Sequence, residues 1–214
     1  TALSDCTVPC MSDLLSSLSM SLVNALYNLQ LMKIAGENGV AAYGAVMYVN
    51  FIFVATFLGY AIGCAPVISY HYGAGNHAEL KNLYKKSMSI ILVWGVILFG
   101  AAQLLAPVLS KIFVGYNTGL YAMTLHGFRV YAIAFLIIGI NIFGSSFFTA
   151  LNNGLISAVI SFLRTLVFQV IMVLTLPLWF GINGIWSAIS VAEALTLIMT
   201  TTFFVRQKDK YHYL

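Results

Sequence analysis

Long apolar runs alternate with short polar turns along the whole chain, and each run is long enough to cross a bilayer. The runs predict helices over about residues 12–32, 40–70, 87–106, 128–150, 156–176 and 185–205, because about 20 apolar residues span the hydrocarbon core. Turns at about 33–39, 73–76, 111–119, 152–154 and 181–184 separate them. The first run carries Ser16, Ser17, Ser19, Ser21, Asn24, Asn28 and Gln30. Small and polar residues of this kind pack membrane helices together or line a wet cavity. The second run exceeds what a crossing needs, so it must tilt, bend or emerge. Within it Gly59 and Gly63 permit close helix contact, and Pro66 is placed to kink the last turns. Pro107 is expected to break the third helix and Pro177 to end the fifth.

Composition agrees with the pattern. The chain is 61% hydrophobic and 7% charged, against about 25% charged residues in a soluble domain. It therefore reads as an all-α integral membrane protein of six transmembrane helices. The net charge of +4 does not indicate nucleic acid, since no aromatic-basic stripe stands outside the apolar runs. Cys6, Cys10 and Cys64 cannot all pair, and Cys64 inside a span reads as a packing residue. HExxH, Walker A, GxSxG and paired CxxC patterns are all absent, so neither an enzyme nor a metal or cofactor site is expected. The chain starts at Thr1 with no basic region ahead of the first run, and a fragment of a longer protein is expected.

Charge also orients the helices. The stretch 63–86, GCAPVISYHYGAGNHAELKNLYKK, closes one apolar helix and opens the next with Lys81, Lys85 and Lys86. Its face also gathers Arg164, Arg206, Lys208 and Lys210; the other face gathers Lys33, Lys111 and Arg129. The positive-inside bias places this hinge and both termini in the cytoplasm of a multi-pass protein of the cell membrane. The three hinge lysines are set to meet anionic lipid headgroups.

Two charges fall inside apolar runs, Arg164 and Glu193. Each costs roughly 2.5–3.5 kcal/mol to insert and belongs on the bundle interior. Their depths differ by less than roughly 10 Å at the helical rise, within side-chain reach. Two readings stay open: a coupling-ion carboxylate tuned by Arg164, or a fixed ion pair locking two helices. Asp13 is either a first-turn helix cap or an ion-entry residue. Asn24, Asn28, Asn50, Asn141 and Gln169 are candidates to line a cavity or to hydrogen-bond between helices. Tyr131, with Tyr27, Tyr48 and Phe51, is placed either to stack on a cationic compound or to pack.

The hinge, APVISYHYGAGN followed by HAELKNLYKKS, resembles the multidrug and toxic compound extrusion (MATE) transporters. SMSLVNALYNLQLMKIAGENGVAAYG, YVNFIFVATFLGYAIG, GINIFGSSFFTALNN and LPLWFGINGIWSAISVAEALT extend the likeness over nearly the whole chain. Together they look like the C-terminal lobe of a bacterial member. The resemblance implies one six-helix lobe of a two-lobe secondary transporter, with the N-terminal lobe missing. It implies a hinge of Pro66, Gly73, Ala74, Gly75 and Asn76 between the second and third helices. It further implies antiport of amphipathic, cationic, drug-like small molecules against Na+ or H+, with no cofactor beyond that ion. There are departures from the family pattern. Where many members carry a glutamate in the first helix this chain has Ser17, with Asp13 a turn earlier. Where many carry an aspartate in the fourth helix it has Asn141. Glu193 resembles an acid found at its place in another branch. Alternatives are a flippase of lipid-linked or anionic substrates with the same lobe design, and a non-transporting membrane scaffold subunit.

Overall fold

A computed structural model describes residues 2–211 and 213, with side chains from Ser19 onward except that of Asp209. The elements are α1 (Ala2–Gly73), α2 (His77–Val114), α3 (Thr118–Ala132), α4 (Phe135–Ala150), α5 (Gly154–Phe162), α6 (Phe168–Phe180) and α7 (Ile182–Tyr211). A π-helical turn, Leu163–Val167, joins α5 to α6. α1 is not one rod. Gly36 leaves the helical region at φ 64°, ψ −155°, and the chain folds back there. The Tyr43 hydroxyl donates to Asn24 Oδ1 across 19 residues at 3.1 Å, a separation that would be about 28 Å along a straight helix. Tyr27 and Tyr43 stack at 5.1 Å across the same hairpin.

Among the described residues four helices are long and apolar enough to cross a membrane, and the bent pair α3–α4, turning by 47°, makes a fifth. The break at Gly36 divides the first of them, so four plus one plus one gives six crossings. Leu104 (79% exposed), Leu178 (81%) and Trp179 (83%) present apolar surface outward, which suits lipid rather than water. The protein is a multi-pass, all-helical membrane protein.

Several boundaries differ from those the sequence suggests. Residues 33–39 form no loop; only Gly36 departs from helix. α2 begins at His77 and runs through Pro107 to Val114. The fourth crossing starts at Thr118 and breaks at 133–134. Pro177 lies inside α6 rather than ending it, and α7 extends from Ile182 to Tyr211. Prolines are tolerated in such helices because nearby groups satisfy the carbonyl that each leaves free. Gly59 and Gly63 make no close contact in this lobe: a Cβ at either would meet nothing within 4 Å.

α4 is the central helix, and glycine lets its neighbours approach. A Cβ on Gly139 would lie 2.4 Å from Phe57 of α1 and 2.8 Å from Ile91 of α2; one on Gly144 would lie 2.4 Å from Thr200 of α7. Its Phe143, Phe147 and Phe148 are buried. They continue into an aromatic plug with Tyr84, Phe204 and Tyr213; the Tyr213 ring sits 5.0 Å from that of Phe147 and 5.2 Å from that of Tyr84. At this end the hinge, the turn after α4 and the end of α7 meet. Tyr72 packs on Tyr211 at 5.6 Å, Asn153 Nδ2 donates to the Tyr211 hydroxyl at 2.9 Å, and Ser69 donates to the Ala150 carbonyl at 2.9 Å. The elements that carry Lys81, Lys85, Lys86, Arg206, Lys208 and Lys210 meet at this end, whereas Arg164, which the sequence count put on the same face, pairs with Glu193 inside the lobe.

Candidate functional site

The hinge is a turn built by its own backbone. Ala74 N–H bonds to the Tyr70 carbonyl at 2.9 Å and Asn76 N–H to the His71 carbonyl at 3.0 Å. Gly75 sits at φ 68°, a conformation that disfavours side chains. Asn76 then caps α2 by accepting from Glu79 N–H at 3.2 Å. Gly73 ends α1, while Pro66 is carried inside that helix without a break in it. The motif therefore fixes the angle between two helices and presents no converging polar groups.

Those groups converge elsewhere, in the wall of a cavity of about 280 Å³ between the α1 hairpin, α3, α4, the π turn, α6 and α7. This is near the lower end of small-molecule sites, about 300 Å³. Asn24, Asn50, Tyr131, Arg164, Gln169 and Glu193 all line it. Six residues that were singled out along 170 positions of sequence thus face one space.

Glu193, on α7, is only 2% exposed, and Arg164 is 18% exposed. Arg164 Nε donates to both carboxylate oxygens, at 2.9 and 3.1 Å. One N–H is shared between two oxygens, and neither terminal guanidinium nitrogen bonds the carboxylate. Asn141 Nδ2 completes the arrangement, donating to Glu193 Oε2 at 2.7 Å and to the Glu193 carbonyl at 3.0 Å. A buried carboxylate is tolerable only with such partners. Arg164 is delivered by the π-helical turn, where Phe168 N–H reaches back five residues to the Leu163 carbonyl. Such insertions re-aim side chains and recur at functional sites.

Other polar atoms on the wall are incompletely satisfied. The Tyr131 hydroxyl and Asn50 Oδ1 are buried without a hydrogen-bond partner. Gln169 Oε1 accepts a long bond from Tyr27, 3.5 Å. Asn141 is fully buried against Glu193 and is not part of the cavity lining. Asn28 is exposed and does not line the cavity. Of the candidate aromatics, Tyr131 and Phe51 line it and Tyr48 does not; Tyr27 is buried behind, stacked on Tyr43. Asp13 lies outside the residues whose side chains are described.

Sequence reasoning missed Tyr43, which lines the cavity and holds Asn24. It also missed a hydroxyl seam between α4 and α5. Ser145 Oγ lies 2.7 Å from Ser161 Oγ and 3.0 Å from Ser157 Oγ, and Thr149 Oγ1 lies 2.6 Å from Ser157 Oγ. Its signal was the four-residue spacing of Ser145 with Thr149 and of Ser157, Ser161 and Thr165, which puts each set on one helix face. Within the described residues no group of three or more His, Cys, Asp or Glu could hold a metal ion.

Known proteins place this architecture. The MatE family model matches residues 14–175. No curated protein matches the sequence. Solved structures do match. An inward-facing structure of a multidrug resistance MATE family transporter of the MOP superfamily superposes with TM-score 0.88 at 21% identity, over 94% of this chain and 47% of that one. The outward-facing structure of a transporter so described gives 0.85 at 21% identity, over 94% and 45%. A MOP superfamily transporter from Pyrococcus furiosus, described as having reversed polarity of its binding pocket, gives 0.85 at 21% identity, over 94% and 46%. The chain spans about half the length of each. At this identity the structures speak for the fold, and the family model, matching well over half of the sequence, speaks for descent: the chain belongs to the MatE family.

Proposed function

We propose that this chain is one lobe of a two-lobe secondary exporter of amphipathic cationic compounds, driven by inward flow of Na+ or H+. The observation that carries the reading is the buried Glu193–Arg164–Asn141 arrangement in the wall of a largely apolar cavity. A membrane-embedded charge held this way marks an ion or substrate path. The cavity has one wall from this lobe; a second lobe supplies the other. Rocking of the two lobes about the fixed site gives alternating access. Glu193 is the coupling carboxylate, Arg164 its resident counter-ion, and Asn141 the group that holds it in position. Tyr131 and Phe51 supply the apolar and π surface that an aromatic cation needs. The hinge face, with its lysines, is cytoplasmic.

The test is extrusion of ethidium by cells expressing the full-length protein. Glu193→Gln is expected to abolish extrusion at normal membrane expression. Full extrusion by that variant excludes Glu193 from coupling. The anionic-substrate alternative needs several basic groups on the cavity. Arg164 lines it, but Arg129 is exposed and does not, so that reading stands second.

A further inference from the structure

We propose that Arg164, Asn24 and Gln169 form an acceptor-binding subsite in the cavity wall, and that the ligand it fits is an amphipathic zwitterion, a cation that also carries a carboxylate. The inference rests on the exporter reading and names the substrates that exporter handles best. It starts from the atoms the wall shows and those it hides. The oxygens are turned in or taken. Glu193 is 2% exposed, and Asn50 Oδ1 and the Tyr131 hydroxyl are buried. Asn24 Oδ1 accepts from the Tyr43 hydroxyl at 3.1 Å, and Gln169 Oε1 from that of Tyr27 at 3.5 Å. The nitrogens are left over. Arg164 uses only Nε on Glu193. Its two terminal nitrogens, Asn24 Nδ2 and Gln169 Nε2 have no partner among the described residues, and none of them is shut off from open space. All three residues line the one cavity.

A pair of tyrosines sets this polarity. Tyr27 and Tyr43 stack at 5.1 Å across the α1 hairpin. Each hydroxyl donates to one amide oxygen, and the amide then directs its NH2 group away from that tyrosine. Gln169 follows Arg164 by five residues through the π turn, and the five-residue register of that turn brings both to one cavity. A wall that shows donors binds acceptors. The edge of a guanidinium, with two NH2 groups side by side, matches the two oxygens of a carboxylate.

Charge compensation decides what else the ligand carries. A simple cation that takes the Glu193 carboxylate leaves Arg164 without its counter-ion, and an unpaired charge inside the membrane is costly. A simple anion on Arg164 sets a second negative charge beside a carboxylate that is already 2.9 Å from the same guanidinium. A zwitterion exchanges partners with the pair. Its cation replaces Arg164 at Glu193, its carboxylate takes the outer edge of Arg164 and the two amides, and no charge is left unpaired. The apolar body of the ligand then lies on Phe51, Val54 and Leu58.

The experiment measures dissociation constants of three probes with the full-length protein in detergent, by fluorescence anisotropy at neutral pH. The probes share one ring system: N-methylacridinium is a cation, N-(carboxymethyl)acridinium a zwitterion and acridine carboxylate an anion. Wild type is expected to bind the zwitterion at least about tenfold more tightly than either of the others. Arg164→Lys keeps a charge beside Glu193 but lacks the two-nitrogen edge, and is expected to bring zwitterion and cation to within about threefold of each other. Gln169 has only the long bond from Tyr27. Gln169→Leu is therefore expected to lower the zwitterion's advantage by about threefold while the ligand-free protein melts with wild type, and it carries the test if the lysine variant fails to fold. Equal affinities for zwitterion and cation in wild type, or an advantage that survives both substitutions, overturn the subsite and leave an exporter of cations standing. An anion bound as tightly as the zwitterion overturns the exchange of partners. If wild type binds neither cation nor zwitterion, the exporter reading falls and takes the subsite with it.

Discussion

Replacing Arg164 by Met leaves Glu193 buried with a single side-chain donor. Glu193 is 2% exposed; it loses both Nε contacts, at 2.9 and 3.1 Å, and keeps Asn141 at 2.7 Å. Two unit charges about 4 Å apart attract by about 4 kcal/mol at an effective dielectric of 20. Mutational experience with broken buried pairs gives a similar loss, about 3–5 kcal/mol, because the surviving charge is left uncompensated. At the 2–4 °C per kcal/mol of a domain this size, the expected drop in melting temperature is roughly 6–20 °C. The assay is thermal unfolding of the purified full-length protein in detergent, followed by tryptophan fluorescence. Trp186 is a suitable reporter because it is buried on Gly127. The double variant Arg164→Met/Glu193→Gln removes both charges and is expected to recover at least about 2 kcal/mol of the loss. Additive losses in the two single variants, or an Arg164→Met protein melting with wild type, would refute the reasoning.

Three further outcomes follow from the packing. Gly139→Ala drives a methyl to 2.4 Å from Phe57 and is expected to cost about 1–3 kcal/mol; Gly59→Ala, with nothing nearby, should melt with wild type in the same assay. Tyr213→Ala empties a fully buried aromatic site at a cost of about 3–5 kcal/mol. Tyr213→Phe removes only the bond to the Phe204 carbonyl, about 1 kcal/mol; proteolysis rates at the hinge face distinguish the two. The chain expressed without a second lobe is expected to move no ethidium in vesicles, and efflux by it as a monomer would overturn the two-lobe reading.

The crossings were readable because apolar length is a direct measure of bilayer thickness. Glu193 and Arg164 were readable because charge is rare in such runs, and the helical rise set them at one depth. Their shared partner was not. Asn141 is a mid-span amide like Asn28, and spacing alone cannot say that one meets a carboxylate while the other faces outward. That depends on the rotation of α4 against α7, which glycine contacts such as Gly144 on Thr200 decide. The fold-back at Gly36 rests on one residue's φ, so a loop of several residues was the natural reading of 33–39. Pro107 and Pro177 misled for a related reason. A proline costs a helix most where the carbonyl it frees has no other partner, and membrane helices supply partners that sequence does not display. The π turn at Leu163–Val167 has no sequence signature at all.

The arrangement of the ion pair bears on whether it locks or switches. A lock gains most from a two-pronged guanidinium–carboxylate fork, which is the stronger geometry. Here one Nε–H is shared by both oxygens, and Arg164 is the more exposed partner, on the cavity wall. The carboxylate is held from the other side by Asn141, which also grips the Glu193 carbonyl and so ties α4 to α7 whether or not the arginine is present. Without Arg164 the carboxylate thus keeps one donor and its tether to α4, at the energetic cost of an unpaired charge. On the proposed transporter reading, a cation entering the cavity competes with Arg164 for the Glu193 carboxylate, and one shared Nε–H is easier to displace than a fork.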